Sequence, residues 1–171
     1  SNDNVDVPVT TAINIGNGDY SVEFWIRTTK TTRWDPFQNL DDNGFWMYWS
    51  SSSNFTFQDS GGYITWTSPD ITDGKWHHII GIRSGTTMTI YRDGRQAAQA
   101  TGQAVGSSSS SYHTAIGGHI VDNNYYVQGT MDEIKIYKYA RTAAQIRSDF
   151  KSRGQAKGTT ASLGSNSKNL D

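Results

Sequence analysis

The chain has 171 residues, enough for one domain with a sizeable core and no covalent staples. It carries 15 Lys and Arg against 16 Asp and Glu, and the formal charge of −1 argues against nucleic acid or an anionic membrane as partner. With no Cys, disulfides and thiolate metal sites are excluded, and 12% aromatics with 17 Gly suit strands and turns better than helices.

No apolar run approaches the ~20 residues of a membrane helix, so membrane insertion is not expected, and the opening SNDNVDVP contains no basic or apolar leader. Val5, Val7 and Val9 alternate with polar residues, with Pro8 marking a strand end or edge. After the turn cluster 14–19, Tyr20, Val22, Phe24 and Ile26 form one apolar face. Residues 28–36 read as a loop ending at Pro36. Strands follow at 37–40 and 45–50 around the turn Asp41-Asp42-Asn43-Gly44, then around Phe55 and Phe57, and at 63–67.

Asp73-Gly74 introduces a strand over 76–83, in which Trp76, His78, Ile80 and Ile82 share a face. Asp93-Gly94 is a hairpin turn between strands at 87–92 and 96–101, because Gly accepts a positive φ at little cost. Further strands are expected at 112–117 and 131–139, with the low-complexity 107–111 as a loop. The spacing Thr142-Ala143-Ala144-Gln145 has capping-box form and predicts one short helix over 142–150, with Ile146 and Phe150 on its apolar side. Gly154 lies just past its expected end. Residues 151–171 carry +3, leave −4 on 1–150, and read as a polar basic tail after a 1–150 domain. Ten to a dozen two-faced strands with one helix predict an all-β fold, an antiparallel two-sheet sandwich.

Several segments together resemble the laminin G-like jelly-roll family, of concanavalin A-like lectin/glucanase fold. They are Gly18-Asp19-Tyr20-Ser21-Val22-Glu23-Phe24-Trp25-Ile26, Asp73-Gly74-Lys75-Trp76-His77-His78-Ile79, Thr89-Ile90-Tyr91-Arg92-Asp93-Gly94-Arg95, Ile116-Gly117-Gly118, and Gly129 to Tyr137. The similarity spans roughly 1–150 and implies a jelly-roll sandwich. The fold hosts unrelated functions, so function rests on sites.

Catalysis is disfavoured. Glycosidases need two carboxyls flanking the sugar bond, whereas the only glutamates, Glu23 and Glu133, form no cluster. His77 and His78 are adjacent, so on a strand they point to opposite faces. Asp132 shares parity with Ile134 and Ile136, and a carboxylate facing the core needs compensation. The resemblance implies a structural calcium on the matching aspartate, with further ligands near Asp3, Asn4, Gly18 and Asp19; the alternative is that Asp132 accepts backbone N–H groups at the strand start.

Sugars are gripped by stacking on Trp or Tyr and by hydrogen bonds to their hydroxyls. Phe45, Met47 and Trp49 lie on one parity, Trp46 and Tyr48 on the other, and only one set can enter the core. Trp34 and Asp35 in the preceding loop, Trp66 on a nearby strand, and His119, Asp122, Asn123 and Tyr125 in a polar-aromatic loop complete a candidate carbohydrate site; the alternative is a secondary core of covered rings. The expected function is a non-catalytic extracellular recognition or adhesion module that binds a glycan or glycoprotein with calcium support. A second reading is a structural subunit of an extracellular assembly such as a pilus, surface layer or virion, whose tail and open sheet edge contact other copies.

Overall fold

Alternating apolar side chains build two facing sheets. The structure, a computed structural model, describes residues 4–8, 15–39, 44–50, 54–67, 69–106, 113–119 and 124–155. In chain order the strands are β1 (Val5–Val7), β2 (Tyr20–Thr28), β3 (Trp34–Asn39), β4 (Trp46–Trp49), β5 (Asn54–Asp59), β6 (Gly62–Thr67), β7 (Trp76–Ser84), β8 (Thr87–Arg92), β9 (Arg95–Ala100), β10 (Thr114–Ile116) and β11 (Gly129–Tyr137), followed by helix α1 (Ala143–Gln155). One sheet has the order β1-β10-β3-β4-β5-β6 and the other β11-β2-β7-β8-β9, antiparallel throughout. This is the predicted jelly-roll sandwich. The proposed tail falls almost wholly outside the described residues.

The core lies between the sheets. Tyr20, Val22, Phe24 and Ile26 of β2 meet Trp34, Phe37, Met47, Trp49, Phe55 and Phe57 of the facing sheet. Gly81 sits among them because a Cβ there would lie 3.0 Å from the Phe57 ring and 3.1 Å from Met47. A buried ion pair also crosses the gap: Arg83 donates from Nε to Asp59 Oδ2 at 2.8 Å, and the Tyr20 hydroxyl donates to the same oxygen at 3.0 Å. Burial and then the Asp59 charge push the Tyr20 hydroxyl well above the usual phenol range.

The outer face of the five-stranded sheet is covered by α1. Thr142 and Gln145 form the predicted capping box, with Gln145 Oε1 accepting from Thr142 N at 2.8 Å and Thr142 Oγ1 from Gln145 N at 3.3 Å. Ile146 is fully buried against Ile80 and Ile82, and Phe150 stacks on Trp25. The helix runs past the expected stop and includes Gly154. Arg153 holds its last turn, donating to Asp132 at 2.7 Å and lying over the Trp25 and Trp76 rings. These contacts offset the roughly 1 kcal/mol that glycine costs inside a helix.

Beneath the helix, the fully buried Glu23 is 3.1 Å from His78 Nε2 and accepts from Arg141 at 2.6 Å. Burial alone would raise the Glu23 carboxyl, but His78, Arg141 and Lys135 together hold it below its ordinary range. His77 points to the other face, as adjacency requires. Its ring bridges Asp93 at 2.9 Å and Asp73 at 3.0 Å, tying the β8–β9 turn to the start of β7.

Candidate functional site

The outer face of the six-stranded sheet carries no helix among the described residues. Parity decides what it presents. Phe45, Met47 and Trp49 enter the core, so Trp46 and Tyr48 of β4 face outward, half-buried, with ring centroids 4.8 Å apart. Gln38 of β3 faces outward opposite Trp46.

Of the segment expected as a loop, residues 29–33 are irregular, but residues 34–36 are strand. β3 begins at Trp34 and contains a bulge between Trp34 and Phe37. Pro36 sits in that irregularity, where a missing N–H costs no ladder bond, and its carbonyl accepts from Gly117 at 3.0 Å. The bulge sends Trp34 and Asp35 to different surroundings. Trp34 is fully buried in the inter-sheet core, so the expectation that it stacks on a sugar is corrected: no face of its ring reaches solvent. Asp35, also fully buried, lies in the neighbourhood of Arg33, Trp46 and His119.

A hairpin beside β3 supplies the rest. Gly117 turns the chain at φ 86°, His119 and Asn124 pair as a bridge, and Tyr125 O accepts from Asp35 N at 2.9 Å. Bridge partners project to the same side, so Asn124 accompanies His119. Gln38 Nε2 is 2.8 Å from His119 Nε2, and the His119 ring lies 5.8 Å from Trp46 and 6.1 Å, edge-on, from Tyr125. Asp122 and Asn123 lie outside the described residues.

Arg33 occupies the centre. Its guanidinium is 4.1 Å from the Tyr125 ring, 5.2 Å from Trp46 and 5.3 Å from Tyr48, and its Nε is 3.4 Å from Asp35 Oδ1. Burial pushes the Asp35 carboxyl above its ordinary range; Arg33, then His119 and the Trp46 indole, counter this only in part. The Trp46 indole N–H serves the Asp35 carboxylate as a hydrogen-bond donor. Gln38 Oε1 and Asn124 Oδ1 are buried without a donor. Sequence reasoning missed Arg33 and Gln38. Their signal was strand parity, which the bulge at Pro36 obscured.

Trp66 does not join this cluster. It follows the inner parity of β6, packs against the core, and lines a separate groove of about 440 Å³ with Arg92, Arg95, Gln96 and Phe150.

The proposed calcium donors do not come together. Glu133 adopts φ 49° in a bulge that resets the parity of β11, so Asp132 faces outward on the helix side rather than toward the core with Ile134 and Ile136. Its oxygens accept from Arg153 at 2.7 Å and from Glu133 N at 2.8 Å, the second being the backbone acceptance of the alternative reading. Asp19, at the other end of β2, accepts from Ser84 and Gly85 at 3.1 and 2.7 Å. Asp132 pairs with Trp25, so six residues of strand, about 20 Å, separate it from Asp19. Gly18 adjoins Asp19, Asn4 is exposed near β1, and Asp3 lies outside the described residues. A donor set so dispersed does not fit one ion, and no group of three His, Asp or Glu that could hold a metal occurs among the described residues.

Two antiparallel sheets, one with a polar-aromatic outer face and the other covered by the helix, define a concanavalin A-like jelly roll. The chain belongs to the concanavalin A-like lectin/glucanases superfamily, whose laminin G family model matches residues 1–147. Over 85 residues it is 29% identical to pappalysin-1 of Mus musculus, covering 47% of this chain and 5% of that protein. The fold is shared with the binding domain of Paraclostridial Mosquitocidal Protein 1, at TM-score 0.65 and 16% identity over 88% of this chain and 41% of that one. A Bacteroides ovatus protein assigned as carbohydrate-binding superposes at TM-score 0.70 with 15% identity, over 85% of this chain and 44% of the other. Botulinum neurotoxin type C, whose passage into cells depends on two ganglioside molecules, gives TM-score 0.62 and 14% identity over 87% and 39%. The chain therefore spans about two fifths of these solved chains and a small part of pappalysin-1.

Proposed function

We infer that the outer face of the six-stranded sheet binds carbohydrate, and that the domain is a non-catalytic recognition module working outside the cell or at a surface. One observation carries this reading: two buried amide oxygens, on Gln38 and Asn124, lack donors beside the Trp46, Tyr48 and Tyr125 rings. A buried acceptor without a donor is costly. Sugar hydroxyls donate hydrogen bonds, and sugar ring faces pack on aromatic rings, so a neutral sugar answers both features at once. The carbohydrate and ganglioside associations of two proteins sharing the fold agree with this, as does placement at a surface.

The placement of the two glutamates supports a non-catalytic role. Glu23 is committed beneath the helix to His78 and Arg141, and Glu133 is exposed on β11, 3.1 Å from Lys135. Neither stands across the aromatic face from Asp35 as a second acid or base.

The test is a glycan array followed by calorimetric titration of the best neutral ligand. Binding should weaken roughly tenfold or more in Trp46→Ala, with melting almost unchanged, and in Gln38→Ala, which also loses the buried hydrogen bond to His119 and melts lower. Reducing ends should not accumulate on long incubation. Absence of binding to any glycan, or binding indifferent to both substitutions, overturns the reading.

A further inference from the structure

The groove beside Trp66 is separate from the aromatic face and has its own chemistry. It runs round the free edge of β9, the last strand of the five-stranded sheet, and holds about 440 Å³. Strand parity divides its walls. Arg92 and Arg95 pair with each other and continue the inward row of Met88 and Ile90, so they stand beside the half-buried Trp66 of β6. Gln96 pairs with Tyr91 on the outward row, on the side of Phe150 and the helix.

Two features of this edge are unfilled. The first is backbone. Asp93 and Gly94, at φ 49° and 77°, make a two-residue turn closed by the Arg92–Arg95 pair. Bonded and open pairs alternate along an antiparallel ladder, so Tyr91–Gln96 is open and the Gln96 N–H and C=O point away from β8. Neither group has another backbone partner among the described residues. The second is charge. Arg92 is committed to Asp70 and, at 3.0 Å, to Asp93, whereas the exposed Arg95 has no ion pair among the described residues. A strand edge, an unpaired guanidinium and two aromatic walls therefore meet in one place. An extended peptide answers all three at once: its backbone pairs with the edge, and its alternate side chains reach the two sides of the sheet.

We propose that the β9 edge is a second binding site, whose ligand is an extended acidic peptide that joins the sheet as a further strand. Its backbone bonds Gln96. An Asp or Glu of the peptide meets Arg95 on the inward side, where Trp66 packs on an apolar group, and the residue next to that acid lies against Phe150. The backbone contact supplies affinity, and the alternation of side chains supplies specificity. No residue here belongs to the aromatic face, so failure of either proposal leaves the other standing.

The experiment pans the whole chain against a library of capped random octapeptides and measures the selected peptides by calorimetric titration. They should carry an Asp or Glu within an apolar, β-branched stretch. Affinity should fall roughly tenfold or more in Arg95→Ala, and further in Arg95→Glu, with the melting temperature unchanged because Arg95 is exposed. Methylating the peptide amides one at a time should abolish binding only at alternate positions, where the N–H reaches Gln96. Recovery of no acidic peptide, or of acidic peptides indifferent to Arg95→Ala, overturns the site. Binding that tolerates methylation at every amide overturns strand addition. A uronic-acid oligosaccharide that binds through Arg95 when no peptide is selected assigns the groove to an acidic sugar and overturns the proposal.

Discussion

The Trp34 and Trp49 rings lie parallel inside the sandwich, with centroids 5.8 Å apart and planes within 5°. Both are almost fully buried, while Trp46, three residues before Trp49, faces out. The two faces of one sheet therefore separate packing from binding. Trp34→Ala should cost about 3–5 kcal/mol of stability through the cavity it leaves. Trp46→Ala should cost far less and act on ligand binding. Chemical denaturation of both variants checks this; equal destabilisation would mean that the Trp46 ring belongs to the packing.

Asp35 should be a stability liability. Its carboxyl is raised by burial, so above that raised value the folded protein carries a costly charge, and below it the group is neutral. Asp35→Asn should thus melt at or above the wild-type temperature at neutral pH. The gap should close as pH falls through the raised pKa. A gap independent of pH would count against this account.

His77 gives the opposite dependence. Burial alone would lower its imidazole, but the hydrogen bonds to Asp93 and Asp73 prevail and raise it. A raised histidine contributes stability that is complete below its unfolded value of about 6.5 and lost as pH climbs through the folded value. Burial opposes the depression of the Asp93 carboxyl, but His77, the His78 N–H and Arg92 prevail and lower it; Asp73 is lowered chiefly by the Lys75 N–H and then by His77. The share of these two carboxyls is present above ordinary carboxylate values and lost on acidification. The melting difference between wild type and His77→Gln should therefore peak in mildly acidic buffer and shrink above neutrality.

Glu23→Gln should destabilise by on the order of 3 kcal/mol, since it leaves the Arg141 guanidinium buried without that anion and His78 without its carboxylate partner. Because Arg141 also bonds Asp149 on the helix, the loss should appear as loosened helix docking, read by hydrogen exchange over 143–155. Uniform exchange protection across α1 in the variant would refute the linkage.

Asp132→Ala should lower stability only slightly, by about 0.2–1 kcal/mol, because its pair with Arg153 is largely exposed. The decrement should be the same with and without a calcium chelator. A decrement that vanishes on chelation would show that Asp132 holds an ion after all.

Much of the fold was fixed by local chemistry that a linear reading reveals. The alternation at Tyr20–Ile26 and Phe45–Trp49 determined which side chains face the core, because strand side chains alternate by geometry. Asp93-Gly94 determined a hairpin, and Thr142 with Gln145 a helix start. The polar-aromatic character of 45–49 and 119–125 was equally legible. Two bulges decided the rest. The one at Pro36 buried Trp34 and turned strand into what looked like loop, and the one at Glu133 moved Asp132 out of the core register. A single inserted residue reverses parity for everything beyond it, and composition carries no mark of where the insertion falls. Only the tertiary structure brought Arg33 among three rings from two separate segments, left the Gln38 and Asn124 amide oxygens without donors, and set Trp46, Gln58 and Tyr63 abreast. Those juxtapositions are products of strand pairing between distant parts of the chain, which no local pattern encodes.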